Sequence, residues 1–579
     1  MRSRTIVFVL ALELLVGAWI WFSGDSPAAA QPAETQPAEG SAAAAVGAPQ
    51  PVKDAPKPAP SVEDAKAAAD PATAAPGTLK PCPQKKPVAK KPLIEDLLPI
   101  GILVIVITFV VLRLPKAQLG HSLAFRKRRL LNWLPLGLTY SFLYFGRYNI
   151  KQFQDFGLGE AGYGTVFGVG SAVYGLAFLL NGPLTDRWGG RATILIAAAG
   201  SGFANLLMGY MAMTGNTFGM STVTAFSIAY AINMYFQSFG AVSIVKVNAA
   251  WFHVRERGTF GGIFGILISL GLYFAYDVGK RITQVFEIQW LFLIPAMILF
   301  LFFVLSWMFV RNNPSDTGHP DFDLGDATQI DDGKVTVGLG QWLRQIGVVL
   351  KKLLSHPVIL TIAVIELCSG FLRQAILQWG TDFGRGIGIG NTFVFENWGM
   401  VSCIAGITGG IFAGAISDHL FQSRRSPVSG VLYGIMLAGA ILIVPMFAAP
   451  LAIGWVVAFM SMAIIGVHGM LTATASADFA GKKNTGVAVG LIDGFVYIGS
   501  MMQSFIYGNY LPVSKIRDTV GCQIEGIPIT YYPFVPNPEA KNIDNWTIWP
   551  YAMIPIALVG FLLTLRIWNA KPRKDAAPH

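Results

Sequence analysis

Charge is scarce in this sequence. Asp, Glu, Lys and Arg make up 13% of its 579 residues, about half the share of an ordinary soluble domain. So few charges cannot keep the surface of a 62.4 kDa soluble chain hydrated. Cysteine is scarcer still. Four residues, none in a C-x-x-C arrangement, exclude a disulfide scaffold and a cysteine-based zinc or redox site. Catalytic motifs are missing as well: there is no G-x-x-x-x-G-K-[ST] phosphate loop, no H-E-x-x-H and no nucleophile elbow. The sequence therefore reads as a non-enzyme with no cofactor and no metal site, and an ATP-driven pump is excluded.

What is present is apolar. Hydrophobic residues make up 53% and recur in runs of about 20, each able to cross a bilayer core of about 30 Å. The chain reads as an all-α polytopic membrane protein whose first partner is the lipid bilayer. Its net charge of +10 does not imply nucleic acid, because Lys and Arg gather in short loops between apolar runs, as orientation signals do.

Residues 1–30 read as a signal peptide or a retained anchor helix: Arg2 and Arg4, an apolar stretch from Ile6 to Phe22, then Ala28-Ala29-Ala30. Residues 31–92, rich in Ala and Pro, cannot bury enough surface to offset chain entropy, so a disordered tether outside the membrane is expected there. Its protein partner, if it has one, is not legible. An extra transmembrane helix is expected over 93–114, followed by a basic cytoplasmic linker over 115–130 with Arg126, Lys127, Arg128 and Arg129. Cleaved or retained, the first segment leaves the topology downstream unchanged. Cys82 and Cys522 both fall outside, where a bridge between them is one open reading; Cys368 and Cys403 read as packing.

Twelve spans are expected from residue 131, near 131–152, 163–185, 192–212, 221–247, 258–279, 288–310, 357–380, 393–417, 427–448, 451–474, 485–509 and 547–568. The basic loops Arg187/Arg191, Arg255/Arg257, Arg424/Arg425, Lys482/Lys483 and the tail 569–579 fall on one side, taken as cytoplasmic. Lys280 and Arg281 are the main exception. A polar cytoplasmic loop, 311–356, divides the core into six-helix halves, 131–310 and 357–568. The halves repeat. GPLTDRWGGR (182–191) follows the second span and GAISDHLFQSRR (414–425) follows the eighth. Asp186, Arg187, Arg191 and Asp418 are candidate gate residues, since an Asp and an Arg at helix ends on one side can pair and tie two helices together.

An ionisable group within a span costs roughly 2.5–3.5 kcal/mol on insertion scales and calls for a function. Arg147 lies about 16 residues into the first span, roughly 24 Å at 1.5 Å per residue, too deep to reach headgroups. Arg373 lies equally deep in the seventh span, the repeat partner of the first. Two guanidiniums aimed at one place suit a tetrahedral dianion, because each offers a rigid fork of donors that lysine lacks. Tyr140, Tyr144, Arg147 and Lys151, spaced 4, 3 and 4, form one stripe along a helix face. Lys246, Glu366, His468 and Asp493 are further in-span candidates. His468 reads either as a titrating cavity group or as a histidine bonded to a backbone carbonyl, and Asp493 either faces the cavity with Tyr497 or pairs with Lys246.

The repeated Gly-x-x-x-Asp motif resembles that of the major facilitator superfamily, whose two halves enclose a central site. YFGRYNIKQF (144–153), GFLRQAILQW (370–379), FQSFG (236–240), WFHVRERG (251–258), RNNPSDTG (311–318) and DFAGKKNTGVAVGLIDGFVYIGS (478–500) are similar to segments of the organophosphate:inorganic phosphate antiporter family. The resemblance covers about 131–568. It implies a secondary transporter of the inner (plasma) membrane, exchanging a phosphorylated small metabolite for inorganic phosphate by alternating access. It further implies that Arg147 and Arg373 hold the phosphate and that Tyr140, Tyr144 and Tyr497 line the cavity. Proton-coupled symport of another organic anion, or a non-transporting sugar-phosphate sensor, are the alternatives. Phe178, Ile268, Gly370 and Gly466 stand where the family's glycerol-3-phosphate transporter carries a lysine, a histidine and two tyrosines. The organic part of the substrate, or the protonation step, is expected to differ accordingly.

Overall fold

The computed structural model describes residues 93–113, 121–253, 257–321, 339–421, 425–471, 485–512 and 542–569, with short stretches between 515 and 540. The expected signal, tether, basic linker before residue 121, Lys482/Lys483 loop and final tail lie outside these residues. So does the side chain of Cys522. The described residues fall into two compact units, 93–515 with 536–569, and 516–535.

The larger unit is helical. Its elements are α1 (Leu93–Arg113), α2 (Leu123–Tyr148), α3 (Gly159–Trp188), α4 (Gly190–Thr214), α5 (Thr222–Trp251), α6 (Arg257–Tyr273), α7 (Trp290–Phe309), α8 (Leu339–Leu354), α9 (Pro357–Gly386), α10 (Trp398–Leu420), α11 (Arg425–Ile443), α12 (Ile453–Met470), α13 (Thr485–Tyr510) and α14 (Ile548–Arg566). Eight helical stretches among the described residues are long and apolar enough to cross a membrane, the first of them, Leu123–Trp188, running through both α2 and α3. Helix ends follow local chemistry. Ser122 and Ser221 cap α2 and α5 by accepting the N–H of Phe125 and Thr224, Pro357 opens α9, and Gly215 closes α4 in the left-handed conformation at φ 68°.

Four features depart from the sequence reading. The connection expected between the first two spans is helical: α2 runs on through Ile150–Phe153 into a π-helical turn, Gln154–Leu158, and α3 begins at Gly159. A second π turn, Phe274–Val278, follows α6. The polar central loop contains α8, whose Leu353 packs with Ile359 of α9, Leu491 of α13 and Leu179 of α3. Its apolar residues recur every three or four positions, a helical signal that the surrounding polar sequence obscured. Within the smaller unit, Val520–Ile524 (β1) pairs antiparallel with Ile527–Tyr531 (β2), Val520 opposite Tyr531 and Ile524 opposite Ile527. The chain is therefore helical but not purely so.

Two sets of helices, α2–α7 and α9–α14, pack within themselves and meet along two lines, α3 against α13 and α6 against α10. Small residues set the first contact. A Cβ on Gly164 would lie 2.5 Å from the Ser504 carbonyl oxygen and 2.8 Å from the Gly508 Cα, so the backbones touch there. At the Asp186 end of the first set, the RNNPSDTG segment acts as a splice. Asn312 accepts the Arg191 N–H at 2.9 Å, Asn132 accepts the Arg311 N–H at 2.7 Å, and the Trp251 indole donates to the carbonyls of Arg311 and Asn312. These contacts join α2, α4, α5 and the end of α7.

Candidate functional site

Arg147 is fully buried, and no carboxylate of a described residue is bonded to it. Its Nε donates to Gln237 Oε1 at 2.8 Å and its Nη1 to the Tyr497 hydroxyl at 2.8 Å. The guanidinium lies between two rings, 4.6 Å from the Tyr144 centroid and 4.4 Å from that of Tyr174. Nη2 has no hydrogen-bond partner among the described residues. A buried cation with an unfilled donor is costly unless something else completes it.

The orientation of Arg147 comes from an amide network. Gln237 Nε2 donates to Ser201 Oγ at 3.1 Å and to Asn233 Oδ1 at 3.0 Å, while Asn233 and Asn205 both donate to the Gly146 carbonyl. The Tyr230 hydroxyl donates to the Arg147 carbonyl at 2.9 Å. Every member is uncharged. The network fixes the side chain without neutralising it.

Arg373 on α9 is half-buried and makes no hydrogen bond or ion pair with a described residue; its Nε is among the buried atoms without a partner. The groups closest to it electrostatically are Tyr148, Tyr497, Tyr144 and Glu366. Three of these, Tyr144, Tyr148 and Tyr497, are also neighbours of Arg147. The two arginines, on α2 and α9, thus share three tyrosine neighbours. Tyr140 stands edge-on to Tyr144 with centroids 5.2 Å apart, and Tyr497 packs on Tyr174 at 4.1 Å.

The second helix set adds acid and histidine. His468 Nδ1 on α12 is 3.1 Å from Glu366 Oε2 on α9, with Glu366 buried and His468 one quarter exposed. His468 thus has a side-chain carboxylate on another helix as a partner, which helix spacing does not reveal. Asp493, half-buried on α13, has His468, Glu366 and Arg373 as its electrostatic neighbours and no hydrogen bond or ion pair with a described residue.

Two expected site residues lie elsewhere. Lys246 pairs with Asp186 at 2.8 Å at the end of α5, with side chains 47% and 61% exposed. It is not beside Asp493, because α5 continues to Trp251 and the lysine falls on an outer face near the helix end. The same pair corrects the expected Asp186–arginine tie: Arg191 donates instead to the Trp307 carbonyl at 2.9 Å, and Arg187 is exposed. The side chain of Asp418 lies outside the described residues. Lys151, one turn beyond Arg147, does not reach the chamber as a free cation. It is bonded to Asp382 of α9, both side chains under 5% exposed, and to Gln154.

That pair belongs to an ionic seal joining the two helix sets at the Lys151 end. Asp382 also binds Arg385, which reaches Asp155 at 2.8 Å. Tyr163 donates to Gln378, and Lys151 lies 4.5 Å and 4.8 Å from the Tyr163 and Trp379 ring centroids. A second lock comes from Asp277, whose two oxygens accept the N–H groups of Gly399 and Met400 at 2.8 Å each, at the start of α10. Gln154, Asp155 and Asp277 all sit on the two π turns, where the extra residue re-aims side chains toward the other helix set. Sequence reasoning missed Gln237, Tyr174, Asp382 and Asp277. For Asp277 a signal was available, an acidic residue within the expected span 258–279; for Gln237 there was none, since a buried amide looks like any other polar residue in a span.

Gly370 and Gly466 have a packing role. A Cβ on Gly370 would lie 1.9 Å from the Val496 carbonyl oxygen of α13, and one on Gly466 would lie 2.9 Å from the Gly409 carbonyl oxygen of α10. No larger side chain fits at either position in this arrangement.

A family model described as Major Facilitator Superfamily matches residues 136–504. The glycerol-3-phosphate transporter of Bacillus subtilis (strain 168) is 26% identical over 398 residues, covering 65% of this chain and 84% of that protein. The membrane sensor protein UhpC of Salmonella typhimurium (strain LT2) is 24% identical over 360 residues, covering 58% and 73%. Among solved structures, the nucleoside transporter NupG superposes with a TM-score of 0.52 at 14% identity, covering 75% of this chain and 99% of that one. That likeness concerns the fold alone.

Proposed function

The chain belongs to the Major Facilitator Superfamily, and from that premise we propose that it is a secondary transporter exchanging a phosphorylated small organic metabolite, of the glycerol phosphate or sugar phosphate type, for inorganic phosphate. It is not an enzyme. The observation that carries the reading is the state of Arg147: buried, held by neutral groups, and left with an unfilled Nη2. Arg373 shares three tyrosine neighbours with it. A phosphate between them accepts from both forks and neutralises two like charges.

Coupling follows from the same charges. Closing a chamber around two guanidiniums without an anion strips water from both and is opposed, whereas a bound phosphate allows closure. Exchange is then favoured over net uniport. In this reading α2–α7 and α9–α14 are the two rocking halves, twelve spans cross an inner (plasma) membrane, the Asp186 end is cytoplasmic and the Lys151 seal closes the outer end. The glycerol-3-phosphate transporter among the relatives supports the substrate class.

The test is counterflow of labelled phosphate in proteoliposomes against a panel of phosphorylated metabolites, repeated with Arg147→Lys and Arg373→Lys. Lysine keeps the charge and loses the fork, so roughly 100-fold or greater losses are expected, the scale of about 3 kcal/mol. Uptake of equal rate into vesicles lacking internal phosphate would contradict the coupling. A second reading, binding without transport, is favoured by the sensor among the relatives; intact binding with no counterflow would select it. Proton-coupled symport of another anion draws on the Glu366–His468 pair, and uptake that collapses with a protonophore and ignores phosphate on the opposite side would select that.

A further inference from the structure

The chamber is not uniformly basic, and its division of charge bears on the substrate. The α2–α7 side offers Arg147 with neutral amides and tyrosines. The α9–α14 side offers Arg373 together with Glu366, His468 and Asp493. Glu366 is engaged by His468 at 3.1 Å, whereas Asp493 makes no hydrogen bond or ion pair with a described residue and is half open. One turn along α13 from Asp493, Tyr497 receives the Nη1 of Arg147 at 2.8 Å, and Tyr174 has both Arg147 and Asp493 among its electrostatic neighbours. Asp493 and the Arg147-bound Tyr497 therefore lie one turn apart on the same face of α13.

Two guanidiniums, Glu366 and Asp493 sum to no net charge when His468 is neutral. A plain phosphate monoester dianion entering such a chamber is drawn to the arginines and pushed by Asp493. What relieves the conflict is a positive group on the ligand itself, placed a short chain from its phosphate.

We propose that the organic moiety carries a protonated amine, so that the transported class is the aminoalkyl phosphates: Arg147 and Arg373 take the phosphate and Asp493 takes the ammonium. This rests on the phosphate reading above and adds a specificity-determining residue to it. A site that binds a substrate's charged donor rejects the analogue lacking it strongly, because its own carboxylate is then left buried and unpaired.

A matched pair of probes tests this: 2-aminoethyl phosphate and 2-hydroxyethyl phosphate, equal in length and differing only in the ammonium. Both compete against labelled inorganic phosphate in counterflow with the full chain in proteoliposomes. The aminoethyl compound is expected to compete at a concentration roughly 10-fold or more lower. Asp493→Asn brings the ratio to about one, and Asp493→Glu, which keeps the charge, restores part of it. Equal competition by the two probes in the wild-type chain overturns the proposal, even if the Asn variant does not fold. A ratio unchanged in Asp493→Asn overturns the role of Asp493. Equal competition accompanied by phosphate exchange that follows an imposed proton gradient assigns the carboxylates to protons and overturns it as well. Failure of the phosphate reading is separate: it appears as absence of phosphate counterflow before either probe is added.

Discussion

Asp382 holds two cations at once, and removing its charge has a cost that falls on one conformation. Lys151 and Asp382 are less than 5% exposed, and Asp382 also binds Arg385. In Asp382→Asn, Lys151 becomes a buried ammonium without a counter-charge, at a cost of about 3–5 kcal/mol for a broken buried pair. Arg385 is 43% exposed and keeps Asp155, so its loss is screened and adds less than about 1 kcal/mol. The pair joins α2's extension to α9, so the penalty applies only while this end is shut; once it opens, water solvates Lys151. The ratio of shut to open states should drop by roughly 10²–10⁴. Lys151→Met is milder, because Asp382 stays paired with Arg385. The double variant Lys151→Met/Asp382→Asn should lie well below the sum of the singles, since it leaves no unpaired buried charge. Electron–electron distance measurements between spin labels at Ala161 and Asn391, with the four native cysteines replaced, read the opening directly. Asp382→Asn should show a new longer-distance population dominating the wild-type one. Unchanged distances in the single variant, or strict additivity in the double, would refute the seal.

Three further outcomes follow from the packing around the arginines. Gln237→Ala leaves the buried Nε of Arg147 without its acceptor, so phosphate counterflow should weaken by about 1–3 kcal/mol, or roughly 10- to 100-fold in apparent affinity; Gln237→Glu should also weaken it by neutralising the guanidinium, so loss in both separates charge from shape. Lys246→Ala removes an ion pair exposed by about half at both partners and should change apparent affinity less than twofold, with stability altered by less than about 1 kcal/mol in thermal unfolding. Gly370→Ala drives a methyl to 1.9 Å from the Val496 carbonyl oxygen, so α9 and α13 must separate; a loss of about 1–3 kcal/mol is expected, seen as a lowered Tm in detergent, while an unchanged Tm would show that this contact is not maintained.

The legible part of the site was what a single helix carries. Arg147 and Arg373 stood out because a guanidinium in an apolar run has no other explanation, and the tyrosine stripe because helical spacing puts Tyr140, Tyr144 and Arg147 on one face. Lys151 lies on the same stripe by the same arithmetic, and there the arithmetic misled. Spacing tells which face a residue occupies on its own helix and nothing about what meets that face. One turn beyond Arg147, the other helix set supplies Asp382 rather than open space. Lys246 misled in the opposite way: its run is apolar enough to look buried, but it sits near the helix end, about half exposed and paired with Asp186.

Composition and periodicity alone marked this chain as a helical membrane protein, with Arg147 and Arg373 each inside an apolar run. Those properties follow from solvation, which acts on each segment separately and is written into its own residues. Only the tertiary structure decided which donors stay unfilled, that Glu366 belongs to His468 while Asp493 remains open, and that the π turns at Gln154–Leu158 and Phe274–Val278 carry the contacts closing one end. Those depend on which helix stands across from which, over separations of a hundred residues or more. A hydrogen bond or ion pair is settled by a distance of about 3 Å, and no one-dimensional pattern fixes such a distance between remote segments.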